Sequence, residues 1–291
     1  MLRTISSFAR RVGVAMVLAS VGATALVVVP EIAPLGHRPE PAAAAGEADY
    51  RSAVLADNPY GYLPLDETDV NSLALDVSGN GNSGYYEGNM EVGLPGPFAD
   101  PSSRAAYFNG GWVRGDHALV PTRGDWTVEA WVMPIGDGFG DGDPIWSQYF
   151  DSYNRRTIAQ LSCGPAWPRC ISFQNGEVGG GSSAVLDEGH WYYAVWRRVG
   201  DTVTMLVNGV ALGSVAAGDI DQHPMWIGGY QAPNWSGEFH GQIAHFAVYQ
   251  RALSDARLRA HYSLAGPTGG PIKYWEQLGG CGCGHPSHAH T

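Results

Sequence analysis

Trp126-Thr127-Val128-Glu129-Ala130-Trp131-Val132-Met133 alternates along its length, with Val128, Ala130 and Val132 on one face and Glu129 and Trp131 on the other. β-Branched and aromatic residues dominate the run, as a packed, pleated surface requires. A second run of this kind covers residues 191–199. Asp201 then turns the chain into 202–207, and Asn208-Gly209 turns it again into 210–215. Asn-Gly between two apolar runs is the strongest short-range hairpin signal. Residues 239–249 supply a late strand. Upstream, residues 50–56 offer one helical turn, stopped by Asn58-Pro59. Downstream, Ser254 stands as an N-cap, Asp255 favours the first-turn dipole, and Leu258 and Tyr262 are i, i+4. Forty glycines and nineteen prolines, scattered without a period, suit short elements joined by tight turns. The expected fold is all-β, a two-sheet antiparallel β-sandwich (jelly roll) with one short C-terminal helix.

Arg3, Arg10 and Arg11 precede an apolar run over 12–29, and a small-residue stretch follows at 42–46. That order is the signature of a secretory signal, so the chain is expected to be secreted or extracellular. The run is at the lower edge of bilayer-spanning length, and an uncleaved signal is the one membrane link the sequence suggests. The organisation read from the chain is 1–45 signal peptide and linker, 48–267 one β-sandwich domain, and 268–291 a tail holding cysteines and histidines. The net charge of −11 has no basic cluster to offset it, which excludes nucleic acid as a partner.

A series of short motifs runs in one order through the chain. Tyr50-x3-Val54-Leu55-Ala56-Asp57-x-Pro59 and Tyr62-x-Pro64-Leu65-x-Glu67 come first, then Asp76-x-Ser78-Gly79-Asn80-Gly81 and Ala106-x-Phe108-x-Gly110. The Trp126 strand, Trp191, Val207-Asn208-Gly209, Ile227-Gly228-Gly229, Phe239-x-Gly241-x-Ile243 and Leu253-Ser254 complete it. In this order they resemble the laminin G-like branch of the concanavalin A-like lectin and glucanase superfamily. The resemblance implies a jelly roll whose members bind glycans or proteins at a loop edge, commonly with calcium. It does not by itself imply one activity, because the fold hosts many.

Glucanases of that superfamily carry paired carboxylates on alternate positions of one strand, and glycoside cleavage needs two acids facing the bond. No such run occurs; Glu129 stands alone on its face, and Asp141 and Asp143 lie in a Gly-rich stretch. The chain is therefore expected not to be an enzyme. Asp76, Ser78 and Asn80 form an oxygen-rich turn, a candidate for calcium or else a plain Asx turn. The resemblance implies an Asp after the Gly-x-Ile of the late strand, and here Ala244 and His245 follow.

Sugars are held by aromatic faces and a few planar polar groups on loops. Trp146, Tyr149, Tyr153 and Asn154 lie in one aromatic-rich segment, Trp167 lies between Cys163 and Cys170, and Asn234-Trp235 sits in a Gly/Pro-flanked loop. These seven are the candidate glycan-binding residues. Cys163 and Cys170, close together in an exported chain, are expected to form a disulfide. The tail Cys281-Gly-Cys283-Gly-His285-x2-His288-x-His290 is a candidate for zinc or copper, or for bonds between chains that would make an oligomer. The leading expectation is a secreted lectin-like protein for glycan or cell-surface polysaccharide, possible calcium assistance included. The alternative is a structural or adhesion protein of the cell envelope that assembles through its tail.

Overall fold

The computed structural model describes residues 46–136, 143–149, 156–161, 170–176, 178–182, 184–232, 235–265 and 269–274. The chain enters through helix α1 (Glu47–Ala56), followed by strands β1 (Gly61–Leu63), β2 (Leu73–Ala74), β3 (Gly84–Pro95), β4 (Arg104–Arg114) and β5 (Trp126–Pro134). Strands β6 (Pro144–Tyr149), β7 (Arg156–Gln160), β8 (Ser172–Asn175), β9 (Val178–Gly181), β10 (Ala184–Val185) and β11 (Tyr192–Val199) come next. The series continues with β12 (Thr202–Val207), β13 (Val210–Ala216), β14 (Met225–Ile227), β15 (Gly229–Ala232), β16 (Trp235–Glu238) and β17 (His240–Tyr249). Helix α2 (Asp255–Leu264) and a last strand β18 (Lys273–Tyr274) close it.

Hydrogen bonding joins most strands in one antiparallel sheet, ordered β13-β12-β11-β5-β17-β4-β14-β6-β7-β8-β9, with β3 also on β4 and β1 also on β17. The sheet nearly closes on itself. A Cβ placed on Gly213 of β13 would lie 3.2 Å from the carbonyl oxygen of Gly181 in β9. The expected pair of sheets is thus, in its hydrogen bonding, one curled sheet. Long strands carry the curl by changing partners midway: β17 pairs β4 through His240–Ile243 and β1 through Phe246–Val248. Between these halves its register shifts, and His245 takes a positive φ of 53°. Such bulges bend a strand and add twist.

The helix content exceeds the expectation of one short helix. α2 is capped as predicted, Ser254 Oγ accepting from the Arg257 N–H at 3.2 Å. α1 starts three residues earlier than the apolar pattern suggested, because Glu47 and Asp49 favour the first turn electrostatically while Tyr50 and Val54, i, i+4, are buried. Both helices lie on the outer face of β5, β11 and β17. The Trp126 strand is therefore buried on both faces. Val128, Ala130 and Val132 enter the core inside the curl with Trp126, Trp146, Phe173 and Trp196. Trp131 joins Tyr50, Tyr193, Ala247, Tyr249 and Leu258 beneath the helices.

Glu129, which the alternation placed alone, sits in that second layer with 0% exposure. Tyr193 donates its hydroxyl to Glu129, Tyr249 donates to Oε1 at 2.9 Å, and His261 Nδ1 lies 3.1 Å from Oε2. The other ring nitrogen of His261 is 3.1 Å from Asp57 Oδ2. Arg257 pairs with Asp57 and also donates to the Ala53 carbonyl at 2.7 Å. One carboxylate in the sheet thus ties both helices down.

Past α2, residues 269–274 are strapped across the sheet. Gly270 N donates to Trp191 O at 2.7 Å, Asn208 Nδ2 donates to Gly270 O at 3.0 Å, and Tyr192 Oη donates to Pro271 O at 3.2 Å. β18 pairs with β10, and Lys273 meets Asp187. The ordered domain therefore runs beyond the expected boundary at 267. A chain ending at 265 should be less stable than one ending at 274 by about 3 kcal/mol, counting about 1 kcal/mol for each of the three lost hydrogen bonds. Comparing their urea midpoints checks this, and equal midpoints would make the strap energetically idle.

Candidate functional site

The helices cover only part of the sheet's outer face. On β3, β4 and β14 that face stays open and carries an aromatic strip. Register sets it: Tyr85 lies opposite Arg114, Glu87 opposite Trp112, and Trp226 opposite Arg114. Between them Val113, Met225 and Ile227 point inward and are buried, the two-residue period of a half-buried strand. Trp112 and Trp226 meet edge to face, ring centroids 5.4 Å apart, and both stay partly exposed.

Polar groups lock these rings in place. Glu87 accepts from the Trp112 indole N–H at 3.1 Å and from Arg114 Nε at 2.8 Å. Arg114 also reaches Asp116 at 3.3 Å and stacks its guanidinium 5.2 Å from the Tyr85 ring centroid. Glu87 and Arg114 side chains keep 35% exposure each and Tyr85 keeps 43%. A strip whose side chains hold one another before any ligand arrives loses little entropy on binding.

The β15–β16 hairpin walls one side. Gly228 makes the turn into it at φ 77°, where a Cβ would come within 2.1 Å of the Phe108 ring, so only glycine fits. The hairpin is pinned by Ser147 Oγ donating to Gly229 O at 2.9 Å and by Tyr230 packing on Ile158. Gly229 rests against Trp112, where a Cβ would be 3.2 Å from the indole, and Glu238 reaches the same surface beside Gly110.

Of the glycan-binding candidates singled out from the sequence, Trp146 is the one whose side chain the structure describes. Trp146 has 0% exposure and packs among Trp126, Phe173 and Trp196 in the core, so it presents no face to a ligand, a correction to its place among the candidates. It belongs to β6 rather than to a loop, and its strand neighbour Ser147 faces outward. Tyr149 ends β6 and Trp235 opens β16, the wall of the strip, but their side chains are not among those described. Tyr153, Asn154, Trp167, Asn234 and Cys163 lie outside the described residues, as does the cysteine–histidine tail; Cys170 is buried.

The Asp76 turn is closed by hydrogen bonds within the chain. Asp76 Oδ1 accepts from the N–H groups of Tyr62 and Ser78, both at 2.9 Å, and Oδ2 accepts from that of Asn82 at 2.8 Å. Burial would raise its pKa, yet these bonds hold it below the usual carboxylate value. Ser78 donates to the Tyr60 carbonyl, and Asn80 turns its amide nitrogen, not its oxygen, toward the carbonyls of Pro59 and Tyr60. Asp76, Ser78 and Asn80 are thus the closing bonds of an Asx turn that anchors β1. Among the described residues no group of three or more His, Cys, Asp or Glu is placed to hold a metal.

Trp112, Trp226, Arg114, Tyr85 and Glu87 were missed in the sequence. Their strands carry an alternating signal, as in Gly111-Trp112-Val113-Arg114 and Met225-Trp226-Ile227. Nothing in it says that residues 85, 112 and 226 share a face.

Several solved structures share the fold. Domain 4 of an extracellular GH43 arabinanase from Geobacillus stearothermophilus, in complex with arabinotriose, is 16% identical over 71% of this chain and 98% of its own, with a TM-score of 0.54. A Trypanosoma rangeli sialidase is 13% identical over 72% of this chain but only 33% of its own, with a TM-score of 0.52. The binding domain of Paraclostridial Mosquitocidal Protein 1 is 13% identical over 72% of this chain and 52% of its own, with a TM-score of 0.50. A search of curated proteins finds no match. Residues 109–259 match the family model described as the concanavalin A-like lectin/glucanases superfamily, and this chain belongs to that superfamily.

Proposed function

We propose that this chain is an exported, non-catalytic, glycan-binding protein of sandwich type that takes its ligand on the Trp112–Trp226 strip. The observation that carries the reading is two partly exposed indoles 5.4 Å apart on neighbouring strands, flanked by a planar Glu–Arg pair. Aromatic faces take the C–H surface of a sugar, and planar polar groups take its hydroxyls. Both oxygens of Glu87 are engaged by Trp112 and Arg114, which suits positioning rather than proton transfer. The secretory signal and a Cys163–Cys170 bridge belong to the same reading. The arabinanase domain bound to arabinotriose supports it as a relative in fold.

Replacing either indole removes apolar contact worth about 1.5 kcal/mol or more, so Trp112→Ala or Trp226→Ala should each weaken glycan binding about tenfold or more. A glycan and polysaccharide screen of the purified chain, then of the two variants with circular dichroism as the folding control, checks this. Unchanged affinity in the double variant would remove the strip from the binding site. No binding to any glycan by the unaltered chain would favour assembly through the tail instead.

A further inference from the structure

The strip carries charge as well as rings, and among the described side chains its one cation is already engaged. Arg114 gives Nε to Glu87 at 2.8 Å, lies 3.3 Å from Asp116 through Nη1, and lays its guanidinium over Tyr85. Glu238 adds a third carboxylate along the same surface; its Oε2 lies 3.5 Å from where a Cβ on Gly110 would be. Among the described side chains three carboxylates therefore accompany one guanidinium, within a chain of net charge −11.

A polyanionic sugar meets this arrangement badly. To pair with Arg114 it must bring its charge against Glu87, which already holds the guanidinium through Nε and fixes the Trp112 indole through its N–H. The ligand's own charge then lies beside Asp116, whose side chain is 60% exposed, and like charges placed together are repelled. An uncharged sugar disturbs none of these bonds. Its hydroxyls meet the outward edges of Glu87 and Arg114, and its C–H faces meet Trp112, Trp226 and Tyr85.

Resting on the glycan reading above, we infer that the ligand is an uncharged glycan and that Glu87, Asp116 and Glu238 reject uronate, sulfated and sialylated chains. Specificity of this kind comes from the repulsive groups as much as from the attractive rings.

The test uses the full chain in affinity electrophoresis. The neutral probes are arabinan, galactan, mixed-linkage β-glucan and mannan, and the polyanions are polygalacturonate, alginate and dextran sulfate. Each is run at about 20 mM and about 500 mM NaCl, which takes the screening length from roughly 20 Å to below 5 Å. At least one neutral polymer should bind, changing less than about twofold between the two salts, because no net charge pair forms. Polyanions should not bind at low salt. Asp116→Asn with Glu238→Gln, which leaves Glu87 and the rings in place, should gain measurable polyanion binding.

Polyanion binding by the unaltered chain that falls tenfold in high salt would overturn the inference while leaving the strip itself intact. Neutral-polymer binding that survives loss of both tryptophans would instead overturn the strip reading. No binding of any polymer would overturn both.

Discussion

Glu129→Ala should cost about 3–5 kcal/mol of folding stability, the range for breaking a buried ion pair by removing one partner. The side chain is fully buried, and its loss strands three groups together: the hydroxyls of Tyr193 and Tyr249 and the Nδ1 of His261. His261 suffers most. Burial alone would lower its pKa, but the charge of Glu129 and the hydrogen bond to it outweigh burial and leave the pKa raised. Without Glu129, His261 keeps only Asp57, 3.1 Å from its other ring nitrogen, as a facing carboxylate.

Urea unfolding of the two single variants and of Glu129→Ala/His261→Ala should show strong coupling, with the double costing clearly less than the sum. Additive costs would mean that Glu129 acts by packing alone. Because the folded pKa of His261 is raised, this pair stabilises fully below the unfolded value of about 6.5 and loses its contribution as pH rises through the folded value.

The second large effect is acid sensitivity at His245, and it runs the other way. This ring is wholly buried on the β17 bulge, accepts the Tyr62 hydroxyl at Nδ1 (2.7 Å), and has its Nε2 3.7 Å from Glu47 Oε1. Burial, helped by the charge of Arg51, pushes its pKa down to about 3. Burial raises the pKa of the neighbouring Glu47 carboxyl as well. The folded protein therefore keeps His245 neutral while the unfolded chain takes up a proton near pH 6.5.

Stability should fall by about 1.4 kcal/mol for each pH unit below about 6.5, continuing toward pH 3. Between pH 6.5 and 4.5 this amounts to about 2.3 kcal/mol, since the unfolded imidazole is already half protonated at the upper end. His245→Gln keeps an acceptor for Tyr62 but has no proton to bind, so its urea midpoint should fall less over that interval. An equal fall in both proteins would place the acid-sensitive group elsewhere. The two histidines together predict greatest stability near neutral pH.

Much of the fold was legible because strands announce themselves locally. The alternation of 126–133 became β5, Asn208-Gly209 became the β12–β13 turn, and Ser254 became the cap of α2, since each depends on residues within one turn or one pleat. The family could be recognised for the same reason, its motifs being turns and strand starts in a fixed order. α1 was only half visible, because its first turn is set by acidic residues and the dipole, not by an apolar period.

The aromatic strip was not legible at all. Tyr85, Trp112 and Trp226 come together only when β3, β4 and β14 pair, and pairing is a long-range choice made by the whole sheet. Trp146 and Glu129 show the same limit from the other side. An aromatic read as a ligand-binding candidate and a carboxylate read as standing alone on its face both ended fully buried, Trp146 inside the curl and Glu129 under the helices. By itself the sequence determined an antiparallel β protein of this superfamily, its Asn208-Gly209 hairpin and the cap of its second helix. Only the tertiary structure decided which face of each strand is covered, because covering a face depends on where a distant helix docks, and no local pattern carries that information.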